Sequence, residues 1–278
     1  MAVYKKYGQT FKSLRKQRGF KLTNFEHLGV SAAALCKFER GVSLLKFDKL
    51  VLVLEELSVT LAEYEKCLNN YILDRHELLI QKVIIAKVSN KLDELPQAYE
   101  EAVNLKEQYL AIAIKSTYSG LTFDEREMMV DYFEQVVFWR YTDLYAFYLL
   151  LDWLEFSEIT FIIEGVFITH TEVFNSLEHR NRVTHIVCRA SMILISKGYA
   201  EKAQYLLSYV LQKEYKHTMF TKNMVNFVQG FWESEFGKKD KGLQVMREAL
   251  RIFEILSFPG MAEYYKRLYG RYSISDLL

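Results

Sequence analysis

The sequence predicts an all-α protein with a small helical head and a larger helical body, and three observations carry this prediction. The 278 residues include only two prolines and 12 glycines, so few residues interrupt long helices. Half of the residues are apolar and 26% are charged, which is typical of a folded chain with a sizeable core. Apolar residues recur at helical spacing, and no strand-like alternation of useful length follows Asp74. We therefore expect two domains, residues 1–70 and residues 71–278.

The two predicted domains differ in charge. Residues 1–54 hold 11 Lys and Arg against three Asp and Glu, a net charge of +8. The rest of the chain holds 25 against 32, a net charge of −7, so the total of +1 hides the difference. A basic head on a mildly acidic body indicates that the head alone binds a polyanion.

The first two helices of the head are predicted from an apolar stripe and a capping pattern. The stripe has helical spacing and consists of Tyr7, Phe11 and Leu14. This first helix ends at Gly19. The pattern Thr23-x-x-Glu26 predicts the start of a second helix, because its two side chains satisfy free N–H groups there. Gly29 makes this second helix short.

Three more helices complete the head. Ser31 is placed to cap a third helix over Ala32–Arg40, which Gly41 terminates. The fourth helix is predicted from the apolar stripe Phe47, Leu50, Val51 and Leu54. The fifth begins at a second capping box, Thr60-x-x-Glu63.

Two short helices joined at Gly29, within a basic five-helix unit, describe a helix-turn-helix domain. The third helix, which closes with Phe38-Glu39-Arg40-Gly41, resembles the recognition helix of the repressor-like class. Such a helix must be slim enough to enter the major groove of DNA. We therefore predict that the head binds double-stranded DNA.

The predicted recognition helix has an inward and an outward face. Leu35 and Phe38 are three residues apart and point inward, which leaves small and basic residues to face DNA. The residues predicted to contact DNA are Lys21, Thr23, Ser31, Ala32, Ala33, Lys37, Arg40 and Lys46. Alanine contacts only thymine methyl groups, so we expect specificity to depend on Ser31, Lys37 and DNA shape.

Other head residues have structural interpretations. Arg15 and Glu39 match the positions of an ion pair that, in the repressor-like class, braces the first helix against the third. Phe25 stands where that class usually has a small residue. Cys36 on the recognition helix is either a small buried apolar residue, which we favour, or a redox sensor.

The first part of the body is predicted as a helical hairpin over Leu78–Tyr118, broken near Leu95–Pro96. A further helix starts at the capping box Thr122-x-x-Glu125. The most apolar stretch, Leu144–Thr169, contains four carboxylates. It is therefore expected to be a buried core helix or pair of helices, and no membrane segment is predicted.

The end of the body shows a weak internal repeat. Three apolar residues recur forty residues later, as Ala203, Leu206 and Val210 and then Leu243, Met246 and Leu250. We predict helical pairs over 180–197 with 199–214 and over 219–236 with 239–257, closed by a helix from Met261. These pairs resemble degenerate tetratricopeptide-type repeats, in which the first helix of each pair lines a concave wall.

Polar residues on the predicted first helices form a candidate ligand site. They are Arg180, Asn181, Arg182, Asn223 and Asn226. Asn side chains offer a donor and an acceptor to a peptide backbone, and Arg180 or Arg182 would meet a carboxylate. The alternative is that these residues are solvated or form hydrogen bonds between repeats.

Two aromatic groups have open interpretations. The first is more typical of core than of a ligand pocket and consists of Phe138, Trp139, Tyr141, Tyr145, Phe147, Tyr148, Trp153 and Phe156. The second forms either a dimer seam or a cap over the last repeat and consists of Tyr264, Tyr265, Tyr269 and Tyr272.

No motif predicts catalysis. The six histidines form no H-E-x-x-H arrangement, and no glycine-rich phosphate loop or G-x-S-x-G elbow occurs, so we expect no enzyme activity, no metal and no cofactor. Three widely spaced cysteines indicate reduced thiols. Met1–Lys6 lacks the apolar segment of an export signal, so we expect a cytoplasmic protein.

Three features of the sequence belong together: the opening Tyr4-Lys-Lys-Tyr-Gly-Gln-Thr-Phe-Lys-Ser-Leu-Arg, the run Phe38–Gly41 and the repeat-like body. Together they resemble the Rgg/MutR family of Gram-positive transcriptional regulators, and the opening resembles the GadR-type branch of that family. The resemblance implies a homodimer, a two-fold DNA site and a repeat domain that in several members binds a short peptide pheromone. The alternative hypothesis is a helical-repeat adaptor that binds a protein and no DNA. A third hypothesis is an enzyme, for which no residue indicates a substrate.

Overall fold

The computed structural model describes residues 2–169, 175–212 and 218–273. These residues form α-helices, short 3-10 helices and connections, with no β-strand among them, which confirms the predicted all-α fold class. The chain divides into two compact units, the head (Met1–Asp74) and the body (Arg75–Leu278). The division lies slightly later than the boundary expected after residue 70.

The head is made of short helices with readable starts. They are α1 (Ala2–Gln17), a 3-10 helix (Leu22–Leu28), α2 (Ala32–Glu39), α3 (Phe47–Glu56) and α4 (Leu61–Leu68). Ser31 caps α2, since its Oγ accepts a hydrogen bond from the backbone N–H of Ala34 at 3.2 Å. Thr60 and Glu63 form the predicted reciprocal capping box at the start of α4. Both caps were predicted from sequence and are confirmed.

The second helix of the head begins differently from the prediction. It is a 3-10 helix that starts at Leu22, and Asn24 Oδ1 accepts a hydrogen bond from the backbone N–H of Lys21 at 2.6 Å. The early start places Thr23 within the first turn. The predicted capping box of Thr23 and Glu26 is therefore wrong.

The core of the head is built around aromatic rings. Its buried residues are Phe11, Phe25, Val30, Leu35, Phe38, Val53, Leu54, Leu57, Val59 and Tyr64. The Phe25 ring centroid lies 5.9 Å from that of Phe11 and 5.8 Å from that of Phe20, so the large side chain fills the centre of the head. Phe47, predicted in the stripe of the fourth helix, is 70% exposed because it is the first residue of α3 and lies beyond this core.

The body begins with helices that bury most of their apolar residues. They are α5 (Arg75–Val88), a 3-10 helix (Leu92–Glu94), α6 (Leu95–Asn104), α7 (Gln108–Ser116), α8 (Phe123–Gln135), α9 (Tyr141–Leu150), a 3-10 helix (Leu151–Trp153) and α10 (Phe156–Thr169). The break predicted near Leu95–Pro96 lies just before these residues, between the end of α5 at Val88 and the start of α6 at Leu95. Pro96 itself occupies the first turn of α6, where its missing N–H costs no hydrogen bond. Thr122 and Glu125 form the predicted capping box of α8.

The second half of the body contains the predicted helical pairs. They are α11 (Leu177–Ser196) with α12 (Ala200–Gln212) and α13 (Met219–Phe236) with α14 (Lys239–Leu256), closed by α15 (Met261–Tyr272). Both apolar sets of the internal repeat are buried. None of the described helices combines the length and the apolar character that a membrane-spanning helix requires.

The closing helix α15 packs on the rest of the body. Tyr265 and Tyr269 are buried, and the hydroxyl groups of Tyr264 and Tyr148 share a hydrogen bond of 2.7 Å. The hydroxyl of Tyr272 donates to Asp152. These contacts favour the capping interpretation of the C-terminal tyrosines over a dimer seam.

The central aromatic group divides between core and surface. Trp139, Tyr145 and Phe147 are buried in the core of the body, as the favoured interpretation predicted. Phe138 is 83% exposed, because it lies in the connection before α9 begins. It is therefore not part of the core.

Candidate functional site

Helix α2 presents one buried and one exposed face. Leu35 and Phe38 are buried, as predicted for the inward face. On the other side, the residues predicted to contact DNA all reach the surface: Lys21, Thr23, Ser31, Ala33, Lys37, Arg40 and Lys46 are exposed and Ala32 is half-buried. The outward face thus combines small residues with cations, which leaves space for a nucleic-acid surface to approach.

Buried charges hold α2 in place. The Arg15 Nε atom lies 2.6 Å from Glu39 Oε1, and Arg15 Nη2 donates to Glu39 Oε2 at 3.0 Å. Arg15 Nη1 also donates to the backbone oxygen of Phe20 at 2.6 Å. Both charged side chains are more than nine-tenths buried, which confirms the predicted brace between α1 and the recognition helix.

The exposed cations beside α2 are available for a ligand. Lys21, Lys37, Arg40 and Lys46 form no ion pair with any residue that the structure describes. Lys46 is the N-cap of α3, and Ser31 is the N-cap of α2. Helix N-termini carry partial positive charge and free N–H groups, so they add to the attraction for phosphate.

Sequence reasoning missed two contacts that shape this surface. Lys49 Nζ donates to the backbone oxygen of Leu28 at 3.1 Å, which ties α3 to the end of the 3-10 helix. A Cβ at Gly8 would lie 1.8 Å from the backbone oxygen of Phe38, so only glycine permits α1 to approach α2 this closely. An unusual glycine within a helical pattern was the available signal for the second contact.

The candidate ligand residues of the body do not form one exposed row. Arg182 is buried on α11, with its guanidinium carbon 4.5 Å from the ring centroid of Tyr145 and its Nη2 donating to Tyr141 Oη at 3.0 Å. Asn223 is buried on α13, and its Nδ2 donates to the backbone oxygen of Ala249 at 2.9 Å. Two of the five residues are therefore held by contacts within the body.

The remaining candidate residues are more accessible. Arg180, Asn181 and Asn226 are half-buried. In the part of the chain that the structure describes, Arg182 Nε and Asn223 Oδ1 are buried polar atoms with no hydrogen-bond partner. Unpaired buried polar atoms are uncommon in folded proteins and call for an explanation.

A small cavity of about 50 Å³ lies beside Arg182, between α11 and α15. His185, Phe220 and Tyr264 contribute to its wall. Burial, together with the neighbouring Arg182, lowers the pKa of His185 to about 3, so this imidazole is neutral at physiological pH. Nothing in the sequence indicates that α15 closes this cavity, because that contact joins residues far apart in the chain.

This chain is similar to known transcriptional regulators in sequence and in fold. The family model for the C-terminal domain of the HTH-type transcriptional regulator Rgg matches residues 89–267 of this chain. The SHP pheromone receptor Rgg2 of Streptococcus dysgalactiae is similar over 96% of this chain and 100% of its own, with 20% identity and a TM-score of 0.73. A candidate transcriptional regulator from Listeria monocytogenes EGD-e is similar over 96% of this chain and 97% of its own, with 14% identity and a TM-score of 0.77. A complex of PrgX with cCF10 gives 14% identity and a TM-score of 0.68, over 96% of this chain and 100% of the PrgX chain.

Proposed function

Because the chain belongs to the family of HTH-type transcriptional regulators Rgg, we propose that its two units divide the work of regulation between them. The head reads DNA through the exposed face of α2, and the body pairs two chains and takes up a short peptide. The observation that carries the DNA part is the set of unpaired cations and small residues on that face. Placement in the GadR-type branch stays a prediction.

In this proposal, the eight exposed or half-exposed head residues contact DNA in two ways. Lys21, Lys46 and the helix N-termini lie on the phosphates, and Lys37 and Arg40 hold α2 against the groove. Ser31, Ala32 and Ala33 are small enough to lie close to the base edges. Thr23 adds a hydroxyl at the edge of the same surface.

Variants at the exposed face test the DNA part. Lys37→Ala and Arg40→Ala should each weaken binding to the promoter DNA upstream of the gene by about tenfold, and each should lower the slope of affinity against salt by about one unit. Fluorescence anisotropy over a salt series measures both quantities. Lys66→Ala on α4, exposed and outside the proposed face, is the matched control. Affinities that remain at the parental value in both variants would refute this interface.

The peptide part is supported by the relatives and by the half-buried polar residues of the body. Solved structures of similar fold include a pheromone receptor and a complex of a peptide pheromone with its receptor. In this chain, Asn181 and Asn226 are half-buried, and each side-chain amide offers a donor and an acceptor to a peptide backbone. We place the peptide beside Asn226, Asn181 and Arg180. Calorimetric titration with peptides encoded near the gene, repeated with Asn226→Ala, measures this contact.

Regulation would follow from a shift between arrangements of the two heads. A peptide that binds one arrangement of the body more tightly than another increases the population of that arrangement. Two heads fixed in a dimer read two half-sites, which compensates for the few base contacts of one alanine-rich helix. We further propose a cytoplasmic location and no catalytic activity. An adaptor that does not bind DNA is not favoured by the family.

A further inference from the structure

A second cavity, of about 460 Å³, lies where the C-terminal ends of α5, α7 and α9 meet α11 and α15. Four cationic side chains line it: Lys87, Arg189, Arg267 and Arg271. Asp152 is the one carboxylate among the described residues of its wall. The cavity is large enough for a small metabolite, since binding pockets typically measure about 300–1,000 Å³.

The single carboxylate is already fully engaged. Asp152 Oδ2 lies 2.5 Å from Arg189 Nη2 and 2.8 Å from Arg271 Nη1, and its Oδ1 accepts a hydrogen bond from Tyr272. Although burial alone would raise it, the surrounding cations, Arg189 above all, hold the pKa of Asp152 below its usual value. Asp152 is therefore ionised and leaves an excess of positive charge in the cavity.

Lys87 shows this excess most clearly. Its ammonium group makes no hydrogen bond or ion pair with the described residues. Burial, reinforced by repulsion from Arg189, lowers the pKa of Lys87 well below its ordinary value. A half-buried lysine that forms no hydrogen bond or ion pair with the described residues is costly to a fold unless something else uses it.

The two remaining arginines also keep free donors. Arg267 uses Nη2 for the backbone oxygens of Lys87 and Val88, at 3.2 and 2.8 Å, which offsets the partial negative charge at the end of α5. Arg189 Nε is buried and unpaired within the described chain. Capping of helix ends thus accounts for part of the positive charge and leaves several N–H groups unused.

We propose that this cavity binds a small anion with two or more negative charges, a phosphorylated or polycarboxylate metabolite, held by Lys87, Arg189, Arg267 and Arg271. Such an anion supplies the missing partner of the Lys87 ammonium and accepts hydrogen bonds from the free guanidinium N–H groups. The site depends on neither the proposed peptide nor DNA. It would make the body a sensor of a small charged molecule as well.

Calorimetric titration of the full chain tests the site, with inorganic pyrophosphate and citrate as separate probes at physiological ionic strength. We expect one of them to bind saturably, at one molecule per chain. Arg271→Gln and Lys87→Met should each weaken that binding tenfold or more. Lys87→Met should also leave the melting temperature without anion unchanged or higher, because it removes a half-buried charge that forms no ion pair with the described residues.

Two matched variants control for general charge effects. Arg251→Gln on α14 and Lys82→Met on α5 replace exposed cations outside the cavity and should bind the anion like the parent. A protein that binds neither probe overturns the proposal. So does binding that survives both cavity substitutions, since the anion would then lie on the basic head. If Lys87→Met does not fold, Arg271→Gln, which alters an exposed side chain, decides the outcome.

Discussion

Arg15 holds three parts of the head together through one buried side chain. It donates to both carboxylate oxygens of Glu39 on α2 and to the backbone oxygen of Phe20 in the connection after α1. Removing one partner of a buried ion pair leaves the other charge unpaired in a medium of low polarity. The orientation of the recognition helix therefore depends on a residue that does not touch DNA.

Substitution of Arg15 should be costly for this reason. Arg15→Ala is expected to lower the free energy of unfolding of the head by about 3–5 kcal/mol, measured by urea denaturation. Lys16→Ala, its exposed neighbour on the same helix, should change it by less than about 0.5 kcal/mol. Equal effects of the two substitutions would mean that the buried pair contributes nothing specific.

His185 makes the body sensitive to acid. The ring lies 5.6 Å from that of Phe220, and burial holds its pKa at about 3, far below the value of about 6.5 in an unfolded chain. Between these values the unfolded chain takes up a proton that the folded chain does not. The contribution of His185 to the free energy of unfolding is therefore fully present above about pH 6.5 and is lost as the pH falls towards 3.

The size of this effect is measurable. Between pH 7 and pH 5, the folded protein should lose about 1–2 kcal/mol through His185, the lower figure allowing for its partial exposure. His185→Gln should remove that part of the pH dependence in urea unfolding curves recorded at both pH values. Parallel pH profiles for the parent and the variant would show that the imidazole is protonated in the folded state.

At the scale of elements, α13 and α14 pack with their backbones in close contact. A Cβ at Gly242 would lie 2.5 Å from the backbone oxygen of Gly230 and 2.3 Å from the backbone nitrogen of Ser234. The two glycines thus set the distance between these helices. The Asn223 side chain adds a hydrogen bond to α14 in the same pair.

Gly242→Ala tests this close packing. We expect a loss of about 1–3 kcal/mol or more in the free energy of unfolding, because the added methyl group must push the two backbones apart. Gly270→Ala on α15 is the control, since a Cβ there meets nothing within 4 Å. It should be neutral or stabilising by up to about 1 kcal/mol, as alanine favours a helix. Thermal and urea unfolding of both variants provide the comparison.

At the scale of the whole molecule, the head and the body have separate hydrophobic cores that share no residue. Each unit therefore has its own source of stability. The basic charge of the sequence is concentrated in the head, and the cavities with convergent polar groups lie in the body. In the proposed function, this separation lets one unit bind DNA while the other binds a ligand.

A dimeric regulator requires two half-sites at a fixed spacing. We expect two chains per DNA site, with half-site centres one helical turn, about 34–36 Å, or a multiple of it apart. Inserting about half a helical turn of DNA between the half-sites should reduce affinity more than inserting a full turn, because it rotates one half-site away from its head. Sedimentation and anisotropy with the altered sites measure stoichiometry and affinity. Equal affinities for both insertions would argue against a fixed dimer.

The sequence by itself determined the helical class, the helix-turn-helix head, the caps at Ser31 and Thr60 and the paired helices after residue 176. These features depend on spacing and on contacts between near neighbours, which a sequence displays directly. It did not predict the 3-10 start held by Asn24, because Asn24 and Thr23 both offer caps and only packing selects between them.

The tertiary structure alone decided which polar residues remain available. The sequence places Asn223 and Arg182 in a candidate ligand site, yet both are buried and donate hydrogen bonds to Ala249 and Tyr141 within the body. Lys87 and Arg267 lie far apart in the sequence but line one cavity. Helical periodicity shows which face of a helix is polar, whereas the neighbour that covers this face comes from a distant part of the chain.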